Sequence, residues 1–228
     1  MPTPRVPRRR NESERPERIG LFGGSFDPVH TGHLHVARAA LERFDLDRVV
    51  FVPARQSPHK LSRALAPGEH RLAMLRLAIE PERRFEVSDL ELVRPGPSFT
   101  VDTWRAFRAA AGAGPEAEIF LVVGSDNLAG IATWRAAREL IAGTQPIVVH
   151  RRVGERDDLA RVFSDLEREL GPALAEKLRR GYVALPPVDV SSTELRARAS
   201  RALHASHEIP APVLAYIRAH ELYGSKDR

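Results

Sequence analysis

The strongest constraint on the fold of this chain is one run, Ile119-Phe120-Leu121-Val122-Val123, apolar without a break between Glu118 and Gly124. A strand with no polar alternate must be covered on both faces, which places it centrally in a parallel sheet between two layers of helix. Similar short runs recur at Ile19–Gly23, Val49–Val52 (stopped by Pro53), Phe85–Val87, Ile147–Val149 and Tyr182–Leu185. Stretches with helical spacing separate them: 31–43, with Leu34, Ala37, Leu41 and Phe44 on one stripe; 69–79, with Leu72, Leu75, Ala78 and Ile79; and 100–111, ended at Gly112 and capped by Thr100 or Ser98. An amphipathic region over 157–178 and closing helices over 192–202 and 211–220 complete the pattern. Strand–helix alternation of this kind predicts an α/β fold, a doubly wound parallel sheet with helices on both faces and right-handed crossovers.

At 228 residues the chain is long enough for one sizeable domain, which needs no disulfide or structural metal to hold its core. It has no cysteine, which excludes thiolate metal sites, thiol nucleophiles and a disulfide scaffold, and fits a reducing compartment. No run of 18 apolar residues exists and the first seventeen residues lack an apolar stretch, so no membrane span or secretory signal is expected. The expectation is a cytoplasmic protein without a membrane partner.

The formal charge is +5, but residues 1–18 hold six arginines against three glutamates, so this short segment carries +3 of it. Segment 1–17, with four prolines and, after Met1, only Val6 as an apolar side chain, is expected to be a disordered Arg/Pro-rich tail, and 18–228 a single domain. A basic tail could meet RNA or a membrane surface. The reading carried forward is a solvated extension, with no nucleic-acid partner.

Ligands of such sheets bind at the carboxyl ends of the strands. At the first such end stand Gly23, Gly24, Ser25, Phe26, Asp27, Pro28, Val29, His30, Thr31, Gly32 and His33. Gly23 and Gly24 let backbone approach a ligand, Pro28 stiffens the turn, and the helix opening near Thr31 aims N–H groups and a positive dipole end toward the same place. His30 and His33, three apart, share one face of its first turn, with Gly32 leaving that face open. Two imidazoles there can donate to phosphate oxygens and stabilise charge that grows during transfer. Metal ligation by the pair would need a third ligand, and none stands nearby. No G-x-x-x-x-G-K-[ST] motif exists, and the G-x-G-x-x-A match at 112–117 follows a helix and precedes a strand, the wrong context for dinucleotide binding.

The segment from Gly23 to His33 resembles the H-x-G-H motif of the nucleotidyltransferase superfamily related to class I aminoacyl-tRNA synthetases. Pro58-His59-Lys60, Pro97–Thr103, Gly124-Ser125-Asp126, Thr133-Trp134 and Ser191–Arg196 follow in the order, and at about the spacing, of bacterial nicotinate-nucleotide adenylyltransferases. The similarity runs from Ile19 to about Tyr223. It implies a Rossmann-like nucleotidyltransferase domain that uses ATP with Mg²⁺ on its phosphates and transfers adenylate to nicotinate mononucleotide, giving deamido-NAD and pyrophosphate.

The resemblance also implies residue roles. His30, His33 and Arg196 are the expected catalytic residues. Gly23, Gly24, Ser25, Phe26, Gly32, Asp126, Ser191 and Ser192 are expected to bind ATP with them, Asp126 at the ribose. His59, Lys60, Phe99, Thr100, Trp134 and Arg135 are expected to bind the mononucleotide, with Trp134 stacked on its ring and backbone N–H groups near Thr100 and Arg135 on its carboxylate. No protein ligands to metal are expected. Asp126 and Ser191 or Ser192 also read locally as helix caps, and Trp134 as a half-buried packing residue. Trp104, on an amphipathic helix with Phe107, reads as core. Where the family often has tyrosine this chain has Phe99. Self-association is left open, and two rivals stand: a nicotinamide-preferring or dual-specificity adenylyltransferase, and a non-catalytic nucleotide- or RNA-binding protein.

Overall fold

The computed structural model describes residues 15–56, 65–110, 114–150, 159–185, 190–199 and 208–224. Along the chain the elements are β1 (Arg18–Gly24), α1 (Thr31–Arg43), β2 (Arg48–Pro53), α2 (Gly68–Ile79), β3 (Phe85–Val87), α3 (Leu90–Val93) and α4 (Thr100–Ala109). There follow β4 (Glu118–Gly124), single 3₁₀ turns at Ser125–Asn127 and Ile131–Thr133, α5 (Ala137–Gly143) and β5 (Gln145–His150). Then come α6 (Leu159–Leu170), α7 (Pro172–Arg180), β6 (Tyr182–Ala184), α8 (Ser192–Ala199), α9 (Ala211–Ala219) and a last 3₁₀ turn at Leu222–Gly224.

Six strands form one sheet in the order β3-β2-β1-β4-β5-β6, every neighbouring pair parallel. This is the doubly wound sheet that the apolar runs predict. The residue-by-residue alternation along each strand decides which helix layer covers which side. Phe22, Phe51, Phe120, Val122, Ile147 and Val149 face a layer built from α1, α2, α8 and α9. Their neighbours Ile19, Leu21, Val50, Val52, Ile119, Leu121, Val123 and Val148 face the other, where α4, α5, α6 and α7 lie. Both sets are almost fully buried, so the strands need no polar alternate.

The chain leaves β1 toward β2 and β3 and returns to β4 on the opposite side of β1. Connections on either side of this point run to different faces, which opens a crevice above the carboxyl ends of β1 and β4. Paired Cα positions Phe22–Val122 and Gly24–Pro53 bring the ends of β4, β1 and β2 to one level.

The single amphipathic stretch expected over 157–178 is two helices. Gly171 adopts φ +86, a left-handed turn that suits glycine, and Pro172 opens α7 with its φ already helical. The helix expected from Thr100 ends at Ala109, and residues 111–113 lie outside the described set. The last part of the helix expected over 192–202 also lies outside it. The short α3 and α5 have no counterpart in the sequence reading.

Residues 1–14 lie outside the described residues, but 15–17 are bonded to the body of the fold. Arg15 pairs with Asp47 at 2.6 Å, Arg48 with Glu17 at 2.8 Å, and the Glu118 N–H donates to the Glu17 carbonyl at 2.8 Å. Among the described residues no helix is long and apolar enough to cross a membrane.

Candidate active site

Strand β1 ends in Gly23 and Gly24, and the chain turns through Ser25–Val29 before α1. Phe26 stands at φ +47 and is 1% exposed, held by aromatic edge contacts to Phe22 and Phe51. A Cβ at Gly24 would come within 2.9 Å of the Phe26 ring, whereas at Gly23 it would meet nothing. The two glycines therefore differ: Gly24 makes room for the phenylalanine, and Gly23 leaves open space above the strand end.

His30 is the N-cap residue of α1 and is almost wholly buried, while His33 is partly exposed. Their ring centroids lie 3.7 Å apart, on the shared face that their spacing predicts. The His30 N–H donates to His33 Nδ1 at 3.3 Å, and the Phe26 ring packs edge-on against His33 at 5.0 Å. With Nδ1 accepting, a neutral His33 carries its proton on Nε2. The first turn of α1 is less open than expected: the Thr31 N–H donates to the Glu208 carbonyl at 2.8 Å, and the His33 N–H to the His30 carbonyl at 2.9 Å. Gly32 is buried within that turn.

From the far end of the chain α8 reaches the same loop. Ser192 Oγ donates to the Pro28 carbonyl at 3.2 Å, and Arg196 Nη1 donates to the Asp27 carbonyl. The Ser191 carbonyl accepts the Leu195 N–H at 2.9 Å, and both serines are half-buried. Thus His30, His33, Ser192 and Arg196, spread over more than 160 residues of sequence, meet at one turn, with Ser191 next to Ser192 in the chain.

Beside this cluster lies a cavity of about 280 Å³ in the crevice between β1 and β4. Gly23, Gly24 and Ser25 form one wall, Gly124 and Asp126 another, and Phe99, Thr100, Trp134 and Arg135 a third. Of the expected site residues, His30, His33, Ser191, Ser192 and Arg196 border the neighbouring turn instead, and His59 and Lys60 lie outside the described residues. Asp126 is exposed on its 3₁₀ turn, which has no side-chain cap bond; the carboxylate accepts from Asn127 Nδ2 at 3.3 Å. Trp134 backs onto the α4–α7 layer and also faces the cavity. Arg135, which lines the cavity, lays its guanidinium 4.9 Å from the Phe99 ring centre and pairs with Asp102 at 3.2 Å. Trp104, expected in the core, is half-buried and packs against the edge of that layer, beside Gly143.

The expected side-chain cap on α4 is absent. Phe99 is the N-cap, and the Ser98 oxygen instead accepts the Arg55 N–H at 3.1 Å, fastening the chain after β2 to the start of α4. The backbone bond is available because Arg55 lies beyond the last paired residue of β2, so its N–H has no partner in the sheet.

Two further groups support the site without a local sequence signal. Arg71 on α2 is 2% exposed and donates to three carbonyls: Ala66 at 2.9 Å, Ser25 at 2.9 Å and Ala54 at 2.7 Å. Burial lowers its pKa, opposed by the nearby Asp27, Tyr223 and Glu91. Ser25 and Ala54 both line the cavity, so one guanidinium fixes the heights of the β1 and β2 ends. Asp27, 1% exposed, accepts the Tyr223 hydroxyl at 2.6 Å and the Ala66 N–H at 3.3 Å on Oδ1. Among the described residues no cluster of three His, Asp or Glu side chains could cage a metal ion.

Residues 21–198 match the sequence model of the cytidylyltransferase-like family. A protein of Symbiobacterium thermophilum named "Probable nicotinate-nucleotide adenylyltransferase" is 41% identical over 206 residues, covering 90% of this chain and 95% of that protein. A protein of the same name from Roseiflexus is 40% identical over 205 residues, covering 90% and 97%. Among solved structures, a Plasmodium falciparum nicotinic acid mononucleotide adenylyltransferase complexed with NaAD shares the fold, with a TM-score of 0.71, 19% identity and coverage of 92% of this chain and 98% of that one. With a nucleotide-type crevice at the strand switch point and relatives this similar over nearly their full length, the chain belongs to the cytidylyltransferase-like family and, within it, to the nicotinate-nucleotide adenylyltransferases.

Proposed function

We infer that this enzyme transfers the adenylyl group of ATP to nicotinate mononucleotide, forming deamido-NAD and pyrophosphate in NAD biosynthesis. The observation that carries the reading is that the β1 end faces two ways. Gly23–Ser25 wall the cavity holding Phe99, Thr100 and Trp134, while the next residues of the same turn meet His30, His33 and Arg196. One turn thereby links a cavity that can take the pyridine ring and the ATP ribose to a site for the triphosphate.

In this reading the 5′-phosphate oxygen of the mononucleotide bonds to the α-phosphorus of ATP. The opposite bond, to the bridging oxygen, breaks, and pyrophosphate leaves with that electron pair. No protein nucleophile is needed. His33, with His30 buried behind it, donates to oxygens that gain negative charge as the bond breaks, and Arg196, Ser191 and Ser192 hold the departing phosphates. Asp126 meets the ATP ribose. Mg²⁺ accompanies ATP, borne by the phosphates and by water; that fits a site where, among the described residues, no carboxylates form a cage and Asp27 is already engaged by Tyr223 and Arg196. On the acceptor side Trp134 stacks on the pyridine ring, and backbone N–H groups at Thr100 and Arg135 meet its carboxylate. Phe99 offers no hydroxyl.

Purified protein with ATP, Mg²⁺ and nicotinate mononucleotide is expected to yield the deamidated dinucleotide and pyrophosphate. Preferential use of another phosphate acceptor would overturn the reading, and comparing kcat/KM for the acid and amide mononucleotides measures the preference. Trp134→Ala should raise KM for the mononucleotide about tenfold while ATP KM stays within about twofold, because aromatic stacking acts only on the acceptor. An equal rise for both substrates would return Trp134 to a packing role.

A further inference from the structure

Asp27 lies at the tip of the β1–α1 turn, and three remote segments converge on it. The Tyr223 hydroxyl, from the last described turn of the chain, donates to Oδ1 at 2.6 Å. The Ala66 N–H, just before α2, donates to the same oxygen at 3.3 Å. Arg196 Nη1 donates to the Asp27 carbonyl and stands 3.7 Å from Oδ2. Among the described residues Oδ2, though buried, has no hydrogen-bond donor, so its orientation toward Arg196 depends on what holds the other oxygen.

What holds it is a strained residue. Tyr223 has φ +60 and ψ 22, and Glu221 stands at φ +48, both in the left-handed region that L side chains avoid. Such backbone persists where the surroundings over-determine it. Here the tyrosine ring packs against the layer of α1, α2, α8 and α9, and its hydroxyl is fastened to the carboxylate. Burial, and then the bond to Asp27, push the phenol pKa well above its ordinary value, so the hydroxyl remains a donor across any working pH. The closing turn also contacts α8, the helix that carries Arg196.

We propose that Tyr223 is a positioning residue for the triphosphate site: its hydroxyl fixes the Asp27 carboxylate, and Asp27, through its carbonyl and Oδ2, sets the reach of the Arg196 guanidinium. The C-terminal turn thus completes a phosphate-binding arrangement whose other parts lie at the first strand and at α8. The proposal rests on the assignment of Arg196 to the phosphates of ATP and goes one step beyond it.

Tyr223→Phe keeps the ring and its packing and removes only the donor. With folding checked by thermal unfolding, it should lower kcat/KM for ATP about tenfold and leave the mononucleotide KM within about twofold. In an Arg196→Ala background the same change should cost less than about twofold, because the group that Tyr223 acts through is gone. A tenfold loss retained in that background overturns the proposal, as does a Tyr223→Phe enzyme with unaltered ATP kinetics or one whose loss falls on the mononucleotide. Should Tyr223→Phe not fold, Asp27→Asn serves in its place: it keeps an acceptor for the tyrosine and removes the charge facing Arg196, with the same non-additive loss expected and an additive one overturning. Arg196→Ala alone separates the two levels. If it binds ATP normally by calorimetry, the assignment of Arg196 to the triphosphate fails; if ATP binding falls while Tyr223→Phe remains additive, only the role of Tyr223 fails.

Discussion

His33→Ala is expected to lower kcat by about two to three orders of magnitude while both KM values stay within about threefold. The magnitude follows from where the ring stands. It is braced edge-on by Phe26 and faced by His30, and its Nδ1 is engaged by the His30 N–H at 3.3 Å. In its neutral form the ring therefore carries its proton on Nε2, so the tautomer is set by the backbone before reaction. A preset donor of that kind is worth most to an oxygen whose charge grows, and little to ground-state binding. The prediction is checked by steady-state kinetics in both substrates, with unfolding measured alongside, because the variant also loses the contact with Phe26. A large rise in ATP KM with unchanged kcat would make His33 a ground-state ligand instead. His30→Ala is a poorer probe of the same idea, since a residue 2% exposed at a helix N-cap brings a stability cost that mixes with the kinetic one.

The part of this architecture that could be read from the sequence is the part written in local periodicity. Unbroken apolar runs identified the strands because the sheet is covered on both faces, and α1 and α2 followed from three- and four-residue spacing. The position of β1 beside β4, which opens the crevice, is a consequence of topology and appears in no single segment. Short helices such as α3 carry too few turns to establish a period, and the break between α6 and α7 rests on Gly171 and Pro172 rather than on a change in amphipathicity. Among the candidate site residues, the meeting of His30 with His33 beside the two glycines is legible because all four stand in one turn. Arg71, Asp27 and Tyr223 carry no local signal of a role, because their partners are 46 and 196 residues away: Arg71 with Ser25, and Tyr223 with Asp27. An arginine inside an amphipathic helix reads as a solvated residue until the fold shows three carbonyls around it. The Thr31 N–H is a similar case: proximity to a phosphate-type turn suggested a free donor, and a distant backbone carbonyl at Glu208 has taken it.

The largest effect expected away from the histidines belongs to Arg71. Arg71→Met retains an unbranched stem that α2 can pack, but removes donors from the carbonyls of Ser25, Ala54 and Ala66 at once. Each is a charge-assisted bond inside the protein, and carbonyls left buried without a donor retain their desolvation cost. Some loss is recovered by no longer burying a guanidinium, whose charged form burial already disfavours here. The net expectation is about 3 kcal/mol of lost stability. For a chain of this size that corresponds to a fall in Tm of roughly 6–12 °C. Function should suffer beyond the stability change, because Ser25 and Ala54 lie at the ends of adjacent strands and both wall the cavity. At a temperature where the variant is still folded, kcat/KM for both substrates should fall together, unlike the one-sided losses expected for Trp134→Ala and Tyr223→Phe. Arg71→Lys discriminates further: a single ammonium keeps the charge but cannot span three carbonyls as the planar fork does, so it should restore only part of the Tm and of the rate. Full recovery with lysine would show that the charge alone matters, and a variant with normal Tm and normal kinetics would remove Arg71 from the supports of the site.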